Sequence, residues 1–325
     1  MLLIIIMKET DDLEELLMTN LWKRVILTNI AVPVVFFAIF FPIKSHVILF
    51  VIFGFVVTYL GSFEISSLIF NKGITINRYF IPFINTYIYL SAYLWANNIL
   101  NIQSFKVLPS VFFLSLILIL SYIFSRDIFQ KDFEKSFEKM SYSIFGIVYI
   151  GLPSFLVPFL LNVEVNSLPD IGGFINVKSE GSLFGSFLVV YLIICIWVND
   201  IFAYVFGVTL GKNNKLGLAA SPNKSLAGYI GGYLTTFVFI FIFYYLFKNY
   251  LNKLPALFYF ITPIFTGFLV PIGDLVESVF KRSAHVKDSG SIIMGRGGVL
   301  DSVDTLLFLI PIFFVTLQVY FKAVS

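Results

Sequence analysis

Cysteine, histidine and charge are scarce in this chain, and each scarcity excludes something. The one cysteine, Cys195, lies inside an apolar run, which rules out an intramolecular disulfide framework and a cysteine-based zinc site. Histidine occurs only at His46 and His285, too far apart in sequence to favour a histidine-rich metal site. Charged residues make up 13% of the chain, about half of what a soluble domain carries. Internal repeats and low-complexity tracts are also missing. The net charge of +3 is unremarkable, and no nucleic-acid partner is expected.

Apolar and aromatic residues fill the chain instead. It is 58% hydrophobic and 18% aromatic, with 40 Phe and 17 Tyr, and its mean hydropathy is +0.92. Phe and Tyr in such numbers suit lipid-facing and interfacial positions. Apolar runs of about 20 residues recur, and at a rise of ~1.5 Å per residue each crosses a ~30 Å hydrocarbon core. The expected fold is therefore all-α: a polytopic integral membrane protein of about nine transmembrane helices. The runs fall at 25–42, 46–70, 80–100, 107–124, 141–163, 183–210, 226–247, 256–280 and 305–321. Two are long. Gly61 and Glu64 in 46–70, and Asp200 and Gly207 in 183–210, place the ends of both in a polar cavity.

The chain divides into residues 1–20, an N-terminal extra-membrane segment; 21–180, the N-terminal transmembrane helices; and 181–325, a C-terminal transmembrane catalytic region. The opening MLLIIIMKETDDLEELL has acids after its apolar start, whereas a signal peptide has basic residues before its apolar core. Residues 126–139 read as a solvated helical connector, and 164–182 as the longest external loop. Basic residues alternate between connections. Lys23 and Arg24, Lys72 and Arg78, Arg126 to Lys139, Lys212 to Lys224, and Lys281 to Arg296 fall on one side, and the other side is poorer. The alternation predicts a multi-pass protein of the inner (cytoplasmic) membrane, with its active site facing the cytoplasm.

Charge concentrates in 273–305, which holds Asp274, Glu277, Lys281, Arg282, Lys287, Asp288, Arg296, Asp301 and Asp304. Read as a helix, positions 274, 277, 278, 281 and 282 fall within a stripe of about 140°. Lysine and arginine at a helix end can snorkel to the interface. Acids one or two turns back toward the membrane are costly there and mark a functional cavity. Glycines at 295, 297 and 298 flank Arg296, a pattern that lets backbone N–H groups and a guanidinium approach phosphate. Asp301 and Asp304 open the last span. Facing Asp274 across the loop, they form an oxygen-ligand site suited to Mg²⁺.

A second cluster lies upstream. Asp200 ends one span, and SPNKS at 221–225 precedes the next. Ser221 can cap a helix and Pro222 fixes the turn. Asn223 offers an amide and Lys224 a phosphate-directed charge. Gly228, Gly231 and Gly232 allow close packing of the following helix.

Together these residues resemble the phosphatidate cytidylyltransferase family, whose signature runs S-x2-K-R-x4-K-D-x5-P-G-H-G-G-x2-D-R-x-D. Ser278, Lys281-Arg282, Lys287-Asp288, Gly297-Gly298, Asp301 and Asp304 fit it, as do the GDLxES before it, Asp200-x-x-Ala203-Tyr204 and Ser221 to Ser225. The motif resemblance covers about 199–305; before that it is only hydropathic. Met294, Arg296 and Ser302 replace the family's Pro, His and Arg, and Ile201-Phe202 replaces Thr-Gly. No acid–base role for a loop histidine therefore carries over, whereas Arg296 keeps a cation there.

The resemblance implies transfer of the cytidylyl group of CTP to phosphatidate, giving CDP-diacylglycerol and pyrophosphate. It implies Mg²⁺ at Asp274 and Asp301, with Asp304 and Asp288 as further candidates and room for a second metal ion. Lys281, Arg282, Lys287 and Lys224 would hold phosphates, and Arg296 the leaving pyrophosphate. Asp200, Ser221, Asn223, Ser278, Gly297 and Gly298 would contact substrate. A homodimer in the lipid bilayer is implied in the same way. The alternatives are a CTP-dependent polyprenol or phytol kinase, a catalytically degenerate paralogue and a transporter.

Overall fold

The computed structural model describes residues 47–96, 107–129, 133–161, 184–251, 256–293 and 297–324. The expected span at 25–42, the segment 1–20, the loop 164–182, Met294 and Arg296 lie outside them. The described chain is helical: α1 (Val47–Asn71), α2 (Phe80–Ala96), α3 (Val107–Ser125), α4 (Ser136–Leu161), α5 (Phe184–Leu210), α6 (Leu226–Leu251), α7 (Ala256–Ser283) and α8 (Leu300–Val324). Each expected span from 46–70 onward has its helix. Among the described residues, six helices are long and apolar enough to cross a membrane. The expected count of nine is thus established only as a polytopic membrane protein. The helix α2 has 17 residues, and the strongly apolar part of α3, Pro109–Ser125, is also short. The connector 126–139 forms a turn at 126–129, and helix resumes only at Ser136.

In an apolar medium a backbone must satisfy its polar groups internally, so such runs fold as helices. Prolines inside them free carbonyls one turn back. Two of these hold α5 to α7. Pro263 leaves the Tyr259 carbonyl free, and the Tyr191 hydroxyl donates to it at 3.2 Å. Pro271 leaves the Gly267 carbonyl free, and Asn199 Nδ2 donates to it at 3.4 Å.

The core has two main parts. Tyr191, Phe258, Tyr259, Leu188 and Phe313 join α5, α7 and α8, and Ile240 and Phe243 add α6. Ile65, Ile69, Ile81, Ile150, Leu300 and Leu307 join α1, α2 and α4 to the start of α8. The helix α8 is therefore the seam between the N-terminal and C-terminal helices. The most extensive helix contact in the described residues is α5 on α6. It is tight as the sequence led one to expect. A Cβ at Gly228 would lie 2.6 Å from the Ala203 carbonyl, and one at Gly232 would lie 2.8 Å from the Asn199 carbonyl. This close packing sets the C-terminal half of α5 against the start of α6, where the polar residues gather.

Candidate active site

A cavity of about 650 Å³ opens where α5 ends, α6 begins, α7 ends and α8 begins. Antiparallel order brings all four ends to one side of the bundle. Asp200, Ser221, Asn223, Lys224, Asp274, Asp301 and Asp304 all line it, so seven expected site residues meet in one place. Gly207 lines it too, which places the end of the long 183–210 span in a polar cavity as expected.

The acid wall is built by α7 and α8. Carboxylate oxygens of Asp274, Glu277 and Asp304 lie within 4.8 Å of one another. Asp274 and Glu277 share a face at i, i+3, which the helical stripe anticipated. Gly273 makes the approach of α8 possible, since a Cβ there would lie 3.1 Å from the Thr305 Cα. Glu277 is 1% exposed and Asp304 is buried. Glu277 pairs with Lys281, yet neither of its carboxylate oxygens accepts a well-formed hydrogen bond.

Asp301 is engaged differently. Its Oδ1 accepts Lys281 Nζ at 2.7 Å, and its Oδ2 accepts the N–H groups of Gly298 at 2.6 Å and Ser289 at 2.9 Å. Its carboxylate holds the loop to α8 while presenting a side to the cavity. Lys281 stands behind the acid wall, between Glu277 and Asp301.

The opposite wall is the turn between α5 and α6. Leu216 N–H donates to the Lys224 carbonyl at 2.9 Å, and Leu226 N–H to the Asn214 carbonyl at 2.9 Å, which folds 211–225 into a tight hairpin-like loop. The cap of α6 is Ser225, whose Oγ accepts the Gly228 N–H at 3.1 Å. Ser221 does not cap. The turn around Pro222, closed by Lys224 N–H on the Ser221 carbonyl, delays the helix start. Lys212, Lys215 and Lys224 line this wall with Tyr204 and Tyr229. Lys224 crosses to the acids, 2.6 Å from Asp274 Oδ2 and 3.0 Å from the Pro271 carbonyl.

The remaining expected residues lie elsewhere. Ser278 is half-buried on α7, while Arg282, Lys287 and Asp288 are exposed outside the cavity lining. His285, in the left-handed region at φ 58°, ends α7, with the Val286 N–H closing on the Lys281 carbonyl at 3.0 Å. Gly297, at φ 101°, and Gly298 pack against Asp301 and Ser289. Arg296 lies outside the described residues. Glu64 was expected in a polar cavity; it is instead buried against the loop before α8, because backbone N–H groups there take up its charge. Lys212 and Lys215 join the site without having been assigned to it, and Glu277, read as an acid marking a functional cavity but given no role there, joins the acid trio. The i+3 spacing from Asp274 was a usable signal for Glu277, whereas the lysines had only the charge of their loop.

Fold and cavity define a polytopic helical membrane protein with, among the described residues, a polar cavity lined by both carboxylates and lysines. The chain belongs to the cytidylyltransferase family, whose sequence model matches residues 22–320. Relatives named phosphatidate cytidylyltransferase include one from Staphylococcus haemolyticus, 37% identical over 39% of this chain and 48% of its own length. One from Haemophilus influenzae is 35% identical over 45% of this chain and 52% of its own. One from Bacillus subtilis is 29% identical over 57% and 61%. The chain thus spans about half the length of the relatives it matches.

Proposed function

We propose that the cavity transfers the cytidylyl group of CTP to phosphatidate, giving CDP-diacylglycerol and pyrophosphate. The observation that carries this reading is the shared lining of one cavity by Asp274, Asp301 and Asp304 from α7 and α8 and by Lys212, Lys215 and Lys224 from the loop before α6, with Glu277 buried within reach of Asp274 and Asp304. The names of the relatives support it. A phosphatidate phosphate oxygen forms the new bond to the α-phosphorus of CTP, and the bond from that phosphorus to the bridging oxygen breaks as pyrophosphate leaves. The nucleophile is already ionised, so the step needs positioning and charge screening more than a strong base. Lys224, Lys212 and Lys215 hold phosphate oxygens. Asn223 and Ser221 orient the nucleotide, and Asp200 contributes a polar contact from α5. Tyr204, exposed beside Val208 at the cavity edge, gives the lipid an apolar approach.

The acid trio fits a divalent cation. Three clustered carboxylates, two of them buried, supply only hard oxygen donors, and Glu277 has both oxygens free of well-formed hydrogen bonds. Asp274, Glu277 and Asp304 would hold Mg²⁺, with Asp301 beside them as scaffold or further ligand. When bound, the ion neutralises charge on the triphosphate. The protein's own part is to keep the acids together through Gly273 and to hold Lys281 against them.

Labelled CTP tests the reading. Purified protein with Mg²⁺ and phosphatidate should move label from [α-³²P]CTP into lipid and leave [γ-³²P]CTP label in pyrophosphate. Label entering lipid from the γ position would mean a CTP-dependent lipid kinase, and no lipid label from either would sink both.

A further inference from the structure

Glu64 lies within the apolar helix α1 and is 3% exposed. A carboxylate in such a place is costly unless donors surround it. Its Oε1 accepts the Val299 N–H at 2.9 Å, and its Oε2 accepts the Leu300 N–H at 2.8 Å and the Ser289 hydroxyl at 2.9 Å. The two backbone groups belong to the start of α8, where N–H groups have no partner within the helix. Val299, at the capping position, has no side-chain acceptor, so another helix supplies the cap.

Ser289 relays the contact. Its Oγ also accepts the Asp301 N–H at 3.3 Å, and its own N–H donates to Asp301 Oδ2 at 2.9 Å. Asp301 in turn binds Lys281, and Lys281 pairs with Glu277. A continuous polar chain thus runs from α1 to the acid trio. Two glycines make room for it. A Cβ at Gly290 would lie 2.9 Å from Glu64 Cδ, and one at Gly298 would overlap Glu64 Oε2 and Ser289 Oγ. Nothing else in the N-terminal helices reaches the site through a charged side chain among the described contacts.

We propose that Glu64 is a positioning residue of the active site: from α1 it fixes Ser289 and the first residues of α8, so that Asp301 and Asp304 face Asp274 and Glu277. Through this contact the N-terminal helices set the geometry of the C-terminal catalytic half. The proposal rests on the cytidylyl-transfer reading for its kinetic arm and on the cation site at Asp274, Glu277 and Asp304 for its Mn²⁺ arm.

The test compares Glu64→Gln, Glu64→Asp and Ser289→Ala with wild type in detergent, by circular dichroism, Mn²⁺ titration followed by electron paramagnetic resonance, and CTP kinetics. Glu64→Gln keeps the volume but turns an amide donor toward groups that donate. It should keep its helical content, bind Mn²⁺ about tenfold more weakly, and lose about 10- to 100-fold in kcat with a smaller change in KM for CTP. Glu64→Asp should recover part of both losses. Ser289→Ala should move both readouts the same way but less, and adding it to Glu64→Gln should add little, because the two act as one unit. A folded Glu64→Gln protein with wild-type Mn²⁺ affinity and kcat overturns the proposal, and so do losses that multiply independently in the double variant. If wild type transfers no cytidylyl group while Glu64→Gln still weakens Mn²⁺ binding, the positioning role stands and the cytidylyl-transfer reading falls.

Discussion

Lys224 Nζ lies 2.6 Å from Asp274 Oδ2, joining the loop before α6 to the acid wall on α7. The pair is half-exposed, with side-chain accessibilities of 23% and 40%, so its own contribution to stability is small. Its value is positional: the ammonium is held at the mouth of the acid cluster, where a triphosphate would meet it. Lys224→Met should therefore raise KM for CTP by about 10-fold or more, the cost of one charge-assisted hydrogen bond, with a smaller effect on kcat. Steady-state kinetics over a range of CTP concentrations checks this. An unchanged KM would remove Lys224 from the nucleotide site.

Asp304 and Asp301 sit one turn apart but do different work. Asp304 lies in the acid trio, while the Asp301 carboxylate already accepts three hydrogen bonds. If Asp304 is a ligand in the proposed cation site, Asp304→Asn should weaken Mn²⁺ binding and lower kcat by about 100-fold or more. Asp301→Asn should also lower kcat, through a loosened loop, and peptides covering Ser289 and Gly298 should exchange deuterium faster than in Asp304→Asn. Equal exchange in the two variants would count against this division of roles. Wild-type activity in Asp301→Asn would remove that carboxylate from the site altogether.

Much of this was legible beforehand, and what was not has a physical cause. Hydropathy located the helices because a membrane-spanning backbone has few alternatives. Asp274, Asp301, Asp304 and Lys224 stood out because charge is rare against so apolar a background. Glu64 stood out but read as a residue of a polar cavity, because its partners Val299 and Leu300 are backbone donors 235 and 236 positions away. Ser221 read as the cap, but the turn at Pro222, closed by the Lys224 N–H on the Ser221 carbonyl, moves the helix start on to Ser225. Gly298 read as a phosphate-approach glycine, but the close neighbours are Ser289 and Glu64. Composition shows that a backbone must come close to something; it does not show to what.

Glycines on the α5–α6 contact should be far less replaceable than one in looser surroundings. A Cβ at Gly232 would press on the Asn199 carbonyl at 2.8 Å, a backbone atom with nowhere to move, whereas one at Gly61 would meet only Ile150 Cδ1 at 3.8 Å. Gly232→Ala should cost about 1–3 kcal/mol, and Gly61→Ala should be neutral or stabilising by a few tenths up to about 1 kcal/mol. Thermal unfolding in detergent distinguishes them. Because Asn199 and Ala203 also line the cavity, Gly232→Ala should lose activity together with stability.

The basic connections converge at one end of the molecule, which sharpens the prediction of sidedness. Lys135 Nζ donates to the Gly73 carbonyl at 3.4 Å, and Lys72 stands 5.5 Å from the Tyr142 ring centroid, so the α1–α2 and α3–α4 connections meet. Glu64 joins the same end of α1 to the loop between α7 and α8. Lys212, Lys215 and Lys224 share that end through the cavity they line with Asp274 and Asp304. Lys248, in the last turn of α6, lies at the other end. An excess of lysine and arginine marks the cytoplasmic face, so the cavity should open there. Single-cysteine labelling reads this directly, because the native Cys195 is fully buried and can first be replaced by Ser. In that background, His285→Cys should react with a membrane-impermeant maleimide only after cells are permeabilised, and Lys248→Cys should react in intact cells. The reverse pattern would turn the protein over in the membrane and place the cavity away from cytoplasmic CTP.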